Sequence, residues 1–175
     1  MGILYGIIGL VAIILIVPIF VKKDFGLVRE IIVNKSKLYV FDYLKYLKNQ
    51  DNFSVWPGVD PDMKKDYKGT DGTVGFVSAW ESQNKKVGAG EQEIIKIAEG
   101  ERLDYELRFL KPMKATNQAF MTTERQSESQ TKVKWGFSGK MTYPMNMMLL
   151  FMNMEKMIGS DFENGLVKLK EILEK

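Results

Sequence analysis

The middle of the chain, residues 63–139, alternates between apolar and polar residues in about six short runs separated by clusters of turn-forming residues. The alternation is clearest in the run RLDYELRFL, where Leu103 and Tyr105 alternate with Asp104 and Glu106. A period of two predicts strands that have one dry face and one wet face. The connections are too short for parallel neighbours, which need crossovers of a dozen residues or more. The region therefore predicts an antiparallel meander.

A further strand and one or two helices are predicted ahead of this meander. Residues 25–33 alternate as a strand, and Ser36 is a suitable N-cap for a helix over residues 37–47. The next stretch is rich in turn formers and predicts a short helix or a loop anchored by Trp56. Two glycines inside a later strand, Gly88 and Gly90, indicate a bulge or sharp bend.

The C-terminal run, residues 143–175, predicts one long helix. Steps of three and four residues from Phe162 define a buried stripe. The stripe consists of Met148, Met152, Glu155, Gly159, Phe162, Leu166, Leu169 and Leu173. The first half of the run is rich in methionine, which suits either an irregular core or a surface that adapts to several ligands.

A sheet of seven strands with one dry face and a single long helix to cover it has one simple solution, in which the sheet curls around the helix. We therefore predict an α+β fold, with a curved seven-stranded antiparallel sheet around a long C-terminal helix.

The uncharged segment at residues 3–21 is long enough to cross a membrane. At 1.5 Å per residue it reaches roughly 28 Å, close to the ~30 Å of a hydrocarbon core. Nothing charged precedes it and no small-residue cleavage site follows, which predicts an uncleaved single-pass anchor, residues 1–22, ahead of a domain at residues 23–175. Lys22 and Lys23 follow the segment, and the positive-inside rule then favours a cytoplasmic over a periplasmic domain.

Composition removes several classes of function. A net charge of +3 is too mild to indicate nucleic-acid binding. The chain has no cysteine and no histidine, so thiolate metal sites, cysteine nucleophiles and serine–histidine pairs are excluded. Any acid–base chemistry would use a carboxylate, lysine or tyrosine. We expect no cofactor, no metal site and a monomeric chain.

Five segments carry a resemblance to a known superfamily. They are VREIIVNKSKLYVFDYLKYLKN, VGFVSAWES, VGAGEQEI, LDYELRFLKP and MNMEKMIGSDFENGLVKLK. Together they resemble the START/Bet v 1-like superfamily, also called SRPBCC, and in particular its small bacterial polyketide cyclase/dehydrase and lipid-transport-like members. The resemblance implies a helix-grip fold with a cavity for apolar small molecules such as lipids, sterols or polyketide-like compounds. It implies no catalytic motif.

The dry face of the sheet and the first half of the helix supply candidate ligand-binding residues. These are Trp80, Tyr105, Phe109, Asn117, Trp135, Phe137, Met145, Met148 and Met152. The alternative is that they fill a solid core. Asn117 is the unusual polar member, because a buried amide needs a partner that a ligand or water could supply.

Glu155 is the one candidate for catalysis. On the buried stripe, it would either pair with a basic group or have its pKa raised by burial, which would suit a general acid. The alternative is that the helix turns and Glu155 reaches solvent.

Three hypotheses follow from the sequence. The first is a membrane-anchored binding protein for an apolar small molecule or lipid. The second is an enzyme of polyketide cyclase or hydrolase type that uses a cavity carboxylate or tyrosine. The third is a structural or regulatory protein whose cavity is packed shut.

Overall fold

The computed structural model describes residues 2–175, apart from the side chains of residues 8 and 10. Met1, which belongs to the predicted anchor, lies outside the described residues. The helices are α1 (Gly2–Phe20), α2 (Lys37–Lys45), α3 (Gln50–Phe53), α4 (Trp56–Val59) and α5 (Ser160–Glu174). The strands are β1 (Asp24–Val33), β2 (Lys64–Lys68), β3 (Val77–Glu81), β4 (Ala89–Ala98), β5 (Arg102–Lys111), β6 (Ala115–Arg125) and β7 (Thr131–Lys140).

The seven strands form one antiparallel sheet in the order β1-β7-β6-β5-β4-β3-β2. The six strands from β2 to β7 pair in chain order, and β1 closes the far edge against β7. This arrangement confirms the predicted meander and the predicted seven-stranded sheet.

Two glycines permit the sharp curvature at the start of β4. Gly88 has a positive φ of 64°, and the register between β4 and β5 shifts between Ala89 and Gly90. A Cβ atom at Gly90 would lie 2.6 Å from the Trp80 ring. The glycine therefore lets Trp80 lie flat against the neighbouring strand, and the predicted bend at this position is confirmed.

Helix α5 packs across the concave face of the sheet. Its buried side chains are Phe162, Leu166, Leu169 and Leu173, and together with α2 they cover the strands. Burying each such side chain contributes roughly 1.5–3 kcal/mol. Helix α2 lies within the helix predicted after Ser36, and its Val40, Phe41 and Leu44 are buried as well.

The prediction of a single helix over residues 143–175 is wrong. Residues Met145–Leu150 form a separate 3-10 segment, which we call the methionine segment, and a non-helical break follows it. Asn153 Oδ1 accepts a hydrogen bond from the Lys156 backbone N–H at 3.1 Å, which is the pattern of an N-cap. The side chain of Asn153 therefore marks the start of the helix that continues as α5.

The predicted stripe is correct from Gly159 onward, whereas before Gly159 only Met152 is half-buried and Glu155 is exposed. Residues Glu155–Gly159 form a π-helical turn, which takes more residues per turn than the 3.6 assumed in the count. Met154 and Ile158 consequently turn inward, whereas Glu155 turns outward. Met148, placed on the stripe by the same count, is also exposed.

Helix α1 is long and apolar enough to cross a membrane, judged by its length and composition. It stands away from the sheet with most of its surface exposed. Among the described residues, its main contact with the domain is the methionine segment.

Candidate ligand-binding cavity

A partly open cavity of about 340 Å³ lies between the concave face of the sheet, helices α3 and α4, and the start of the C-terminal helix. This volume falls within the roughly 300–1,000 Å³ of small-molecule sites. The third hypothesis, a structural or regulatory protein, required that side chains fill this space. The cavity contradicts that requirement.

The wall of the cavity is mostly apolar, and aromatic side chains of the sheet form much of it. Trp80 and Phe109 meet edge to face, with ring centroids 5.9 Å apart. Trp135 lies 4.5 Å from Phe162 of α5, centroid to centroid. Phe137 continues this wall toward β1. The alternation of the strands places all four sheet aromatics on the same concave face.

The sheet register brings three polar side chains of the cavity into one row across the strands. Ser78 pairs with Gln92, Gln92 with Leu107, and Leu107 with Asn117. All four side chains line the cavity, and Ser78, Gln92 and Asn117 are each more than 90% buried. We call Ser78, Gln92 and Asn117 the polar row.

One member of the polar row has a partner and two do not. Gln92 Nε2 donates a hydrogen bond to Gln50 Oε1 at 3.1 Å. Among the described residues, the side chains of Ser78 and Asn117 make no hydrogen bond. Both side chains line the partly open cavity, so a ligand or water there can supply their hydrogen bonds.

The cavity also needs a glycine beside Asn117. A Cβ atom at Gly139 would lie 2.2 Å from Asn117 Oδ1 and 2.4 Å from the Phe25 ring. Gly139 therefore keeps open the space in which the amide and the ring face the cavity.

A charged pair lies at one side of the cavity. Asp51 Oδ1 accepts a hydrogen bond from Lys65 Nζ at 2.7 Å, and Asp51 Oδ2 accepts one from the Tyr67 hydroxyl at 2.8 Å. Burial and the bond to Asp51 raise the pKa of Tyr67 to about 12. Asp51 is the carboxylate on the wall among the described residues, and both of its oxygens are occupied by donors.

Six of the nine predicted ligand-binding residues line the cavity. They are Trp80, Phe109, Asn117, Trp135, Phe137 and Met152. Tyr105 is instead fully buried in the core, where burial raises the pKa of its hydroxyl. Met145 and Met148 lie on the exterior, because the methionine segment leaves the domain surface toward α1.

Sequence analysis missed the contribution of the helices before β2 and several other lining residues. Gln50, Asp51 and Ser54 come from α3 and the residue that follows it. The others include Trp56, Pro57, Met63, Lys86 and Met154. Trp56 carried a signal in the sequence, since a tryptophan in a turn-rich stretch needs a surface to cover.

Glu155 lies outside the cavity, on the surface of the domain. Its side chain is 60% exposed and pairs with Arg29 of β1, whose Nε also donates to Glu163 at 2.5 Å. The Arg29 guanidinium lowers the pKa of Glu155 below its ordinary value of 4.5. The catalytic hypothesis required Glu155 to be buried on the stripe, and this placement is therefore wrong. The alternative, in which the helix turns and Glu155 reaches solvent, is correct.

Glu155→Gln is expected to leave ligand binding unchanged, because the side chain points away from the cavity. A carboxylate whose pKa is lowered by folding stabilises the fold above its unfolded-state pKa and loses that effect as the pH falls through the folded-state value. The variant should therefore lose less stability than the parent chain when the pH falls below 4.5. Thermal unfolding followed across pH 3–7 measures this difference, and an identical acid response in both chains would contradict it.

No family model matches the sequence, and no curated protein matches it either. Solved structures do share its architecture. Norcoclaurine synthase from Thalictrum flavum, in complex with dopamine and hydroxybenzaldehyde, is 8% identical with a TM-score of 0.60 over 90% of this chain and 91% of that chain. The Aha1 dimer from Colwellia psychrerythraea is 15% identical, with a TM-score of 0.58 over 86% and 96%. Ara h 8.0201 is 12% identical, with a TM-score of 0.54 over 86% and 95%.

These structures are Bet v 1-like, or SRPBCC, folds. The chain has this helix-grip fold, as the resemblance in its sequence indicated. Because the identities are so low, the similarity establishes the fold and leaves the ligand to be argued from the cavity.

Proposed function

We propose that the protein is a membrane-anchored binding protein for an apolar small molecule or lipid that carries a small polar end. The single observation behind this proposal is the cavity of about 340 Å³ with aromatic walls and the partly unpartnered polar row. The aromatic wall suits rings or an alkyl chain, and the polar row offers hydrogen bonds to one end of the ligand. Norcoclaurine synthase, which has the same fold, is seen with two small aromatic compounds.

The anchor is the second part of the proposal. Residues 1–22 would hold the domain, residues 23–175, at a bilayer, which is the phase where apolar ligands dissolve. Lys22 and Lys23 favour the cytoplasmic side. Membership of the bacterial polyketide cyclase/dehydrase and lipid-transport-like group belongs to this proposal as well.

The enzyme alternative now depends on a different residue. Asp51 is the carboxylate that faces the cavity among the described residues, and Lys65 and Tyr67 hold it. An enzyme would have to use this group in place of Glu155. No specific observation favours a reaction at Asp51 over its role in the wall.

Tryptophan fluorescence provides a direct test, because the three tryptophans of the chain, Trp56, Trp80 and Trp135, all line the cavity. The full chain in nanodiscs is titrated with dibromostearic acid and with bromonaphthalene, a chain-like and a ring-like quencher. We expect saturable quenching that unbrominated stearic acid or naphthalene reverses. Quenching that neither saturates nor is reversed by competitors would reflect simple partitioning into the bilayer and would overturn the proposal.

Asn117→Leu tests the polar row. The variant removes an amide that faces the cavity and makes no hydrogen bond to another described residue, so the ligand-free domain should lose no stability. Loss of a hydrogen bond to a charged end should weaken binding of dibromostearic acid by roughly tenfold, or about 1.4 kcal/mol. Binding of bromonaphthalene, which has no polar end, should not weaken.

The matched control is Gln118→Leu, which introduces the same side chain at the next position of β6, on the exposed face. It should change neither affinity. Equal loss of both probes in Asn117→Leu would mean that the amide shapes the cavity without anchoring a polar end.

A further inference from the structure

The methionine segment exposes an unusual amount of apolar surface. Leu150 is 55% exposed and Phe151, which follows directly, is 82% exposed. Met145 and Met148 are also exposed, as is Tyr143 just before the segment. We call Tyr143, Met145, Met148, Leu150 and Phe151 the apolar collar. Contiguous apolar surface of this kind marks a site that something apolar covers.

The segment is attached to the end of the apolar helix α1. Asn146 is fully buried, and its Nδ2 donates hydrogen bonds to the carbonyl oxygens of Pro18 at 2.7 Å and Val21 at 3.0 Å. The Tyr143 hydroxyl donates to the Leu15 carbonyl oxygen at 2.9 Å. The Pro18 carbonyl is among the last four of α1, which have no helical partner, and Val21 follows the helix directly. The depth of the collar relative to α1 is therefore set by specific bonds.

The position along α1 determines what surrounds the collar when the helix spans a bilayer. Leu15 lies five residues before the end of α1 at Phe20, which corresponds to roughly 7.5 Å of helix. Interfacial segments bury their apolar face about 5–10 Å into the headgroup and acyl boundary. Tyrosine is enriched at this level, and the exposed Lys22 and Lys23 that follow α1 suit the headgroups.

The collar is continuous in sequence with residues that line the cavity. Met152, which follows Phe151 directly, and Met154 are both lining residues. The exposed apolar surface and part of the cavity wall are thus consecutive parts of one stretch of chain.

We propose that the apolar collar inserts into the surface of the lipid bilayer and holds the part of the cavity wall at Met152 and Met154 next to it, so that ligands pass between lipid and cavity without crossing water. This inference rests on the membrane anchor of the proposed function, and it names the occupant of the collar as lipid. The continuity of the collar with α1 favours lipid over a second copy of the chain.

Site-specific fluorescent labels test the inference in the full chain, which contains no cysteine of its own. Three single-cysteine variants, Phe151→Cys, Leu38→Cys and Ile13→Cys, are labelled with the polarity-sensitive dye NBD in nanodiscs of phosphatidylcholine and phosphatidylglycerol. Leu38 is the matched control because it is also a strongly exposed apolar residue, 65% exposed, and it lies beyond the opposite end of β1. The ten residues of β1 place it roughly 33 Å from the anchor end.

The expected result is that doxyl-labelled lipid quenches most of the emission at positions 13 and 151 and leaves position 38 bright.

Quenching at position 13 without quenching at position 151 would overturn the insertion of the collar while leaving the anchor intact. Blue-shifted emission at position 151 that lipid does not quench would mean that protein, such as a second copy, covers it, and would also overturn the inference. An absence of lipid quenching at position 13 would overturn the proposed membrane anchor, and with it the proposed insertion of the collar. Quenching of the tryptophans by the brominated ligands is measured separately, so failure of the collar and failure of ligand binding are distinguishable.

Discussion

Replacing Ala119 by phenylalanine is expected to reduce the affinity for apolar ligands by at least about tenfold, or 1.4 kcal/mol, while the domain stays folded. Ala119 lies at the middle of β6, between Tyr105 and Phe137 in the sheet register, and its methyl group faces the cavity. A phenyl ring at this position would occupy volume that is open in the parent chain. Overpacking costs about 1–3 kcal/mol where a core is already full, and that penalty should be small next to an open cavity.

The measurement is the titration of tryptophan fluorescence with bromonaphthalene and dibromostearic acid, together with thermal unfolding of the ligand-free chain. Gln118→Phe is the matched control, because it adds the same ring to the same strand on the exposed face. The control should bind both probes as the parent chain does. If Ala119→Phe also binds them normally, the ligands occupy some other part of the protein, and the cavity loses its assigned role.

The fold could be predicted from the sequence because its signals are local and repeated. Strand alternation such as that of β5 specifies which side chains are dry, and short turns specify which strands are neighbours. The glycines Gly88 and Gly90 indicated the bend at the start of β4. Each of these patterns involves residues that are close together in the sequence, so each can be recognised without information on long-range contacts.

The start of the C-terminal helix could not be predicted in the same way. A count by 3.6 residues assumes an uninterrupted α-helix, and two features break that assumption. The side chain of Asn153 caps the helix, and the turn at Glu155–Gly159 is π-helical. Asn146 is held in place by a hydrogen bond to α1, more than 120 residues away in sequence. Such contacts leave no periodic trace in the sequence.

The aromatic part of the cavity could be predicted, whereas Asn117 was the one member of the polar row among the predicted residues. Strand alternation assigns four aromatic residues to the dry face, so their place in the cavity could be predicted. They are Trp80, Phe109, Trp135 and Phe137. The polar row depends on register, since Ser78, Gln92 and Asn117 meet only when three strand pairs align in a particular way. A shift of one residue in any pairing would move a member to the opposite face.

Gly165→Val is expected to lower the free energy of unfolding by about 3 kcal/mol, the largest stability effect predicted for this chain. Gly165 is buried in α5, and a Cβ atom there would lie 2.8 Å from Cζ3 of Trp135. The Trp135 ring cannot move aside easily, because it packs edge-on against Phe53 and lies 4.5 Å from Phe162. A glycine inside a helix costs about 1 kcal/mol relative to alanine, so its presence here reflects the close approach of helix and ring.

Asn164→Val is the control, because it places valine at the adjacent, exposed position of α5, where asparagine and valine have similar helix propensities. It should change stability by no more than about 0.5 kcal/mol. Guanidinium unfolding of the full chain in mild detergent, followed by circular dichroism, compares the two variants. Since Trp135 is part of the cavity wall, Gly165→Val should also weaken ligand binding in the molecules that remain folded. Equal stability of both variants would show that α5 can move away from the sheet at this point, and the cavity between them would then be far less rigid than its aromatic wall indicates.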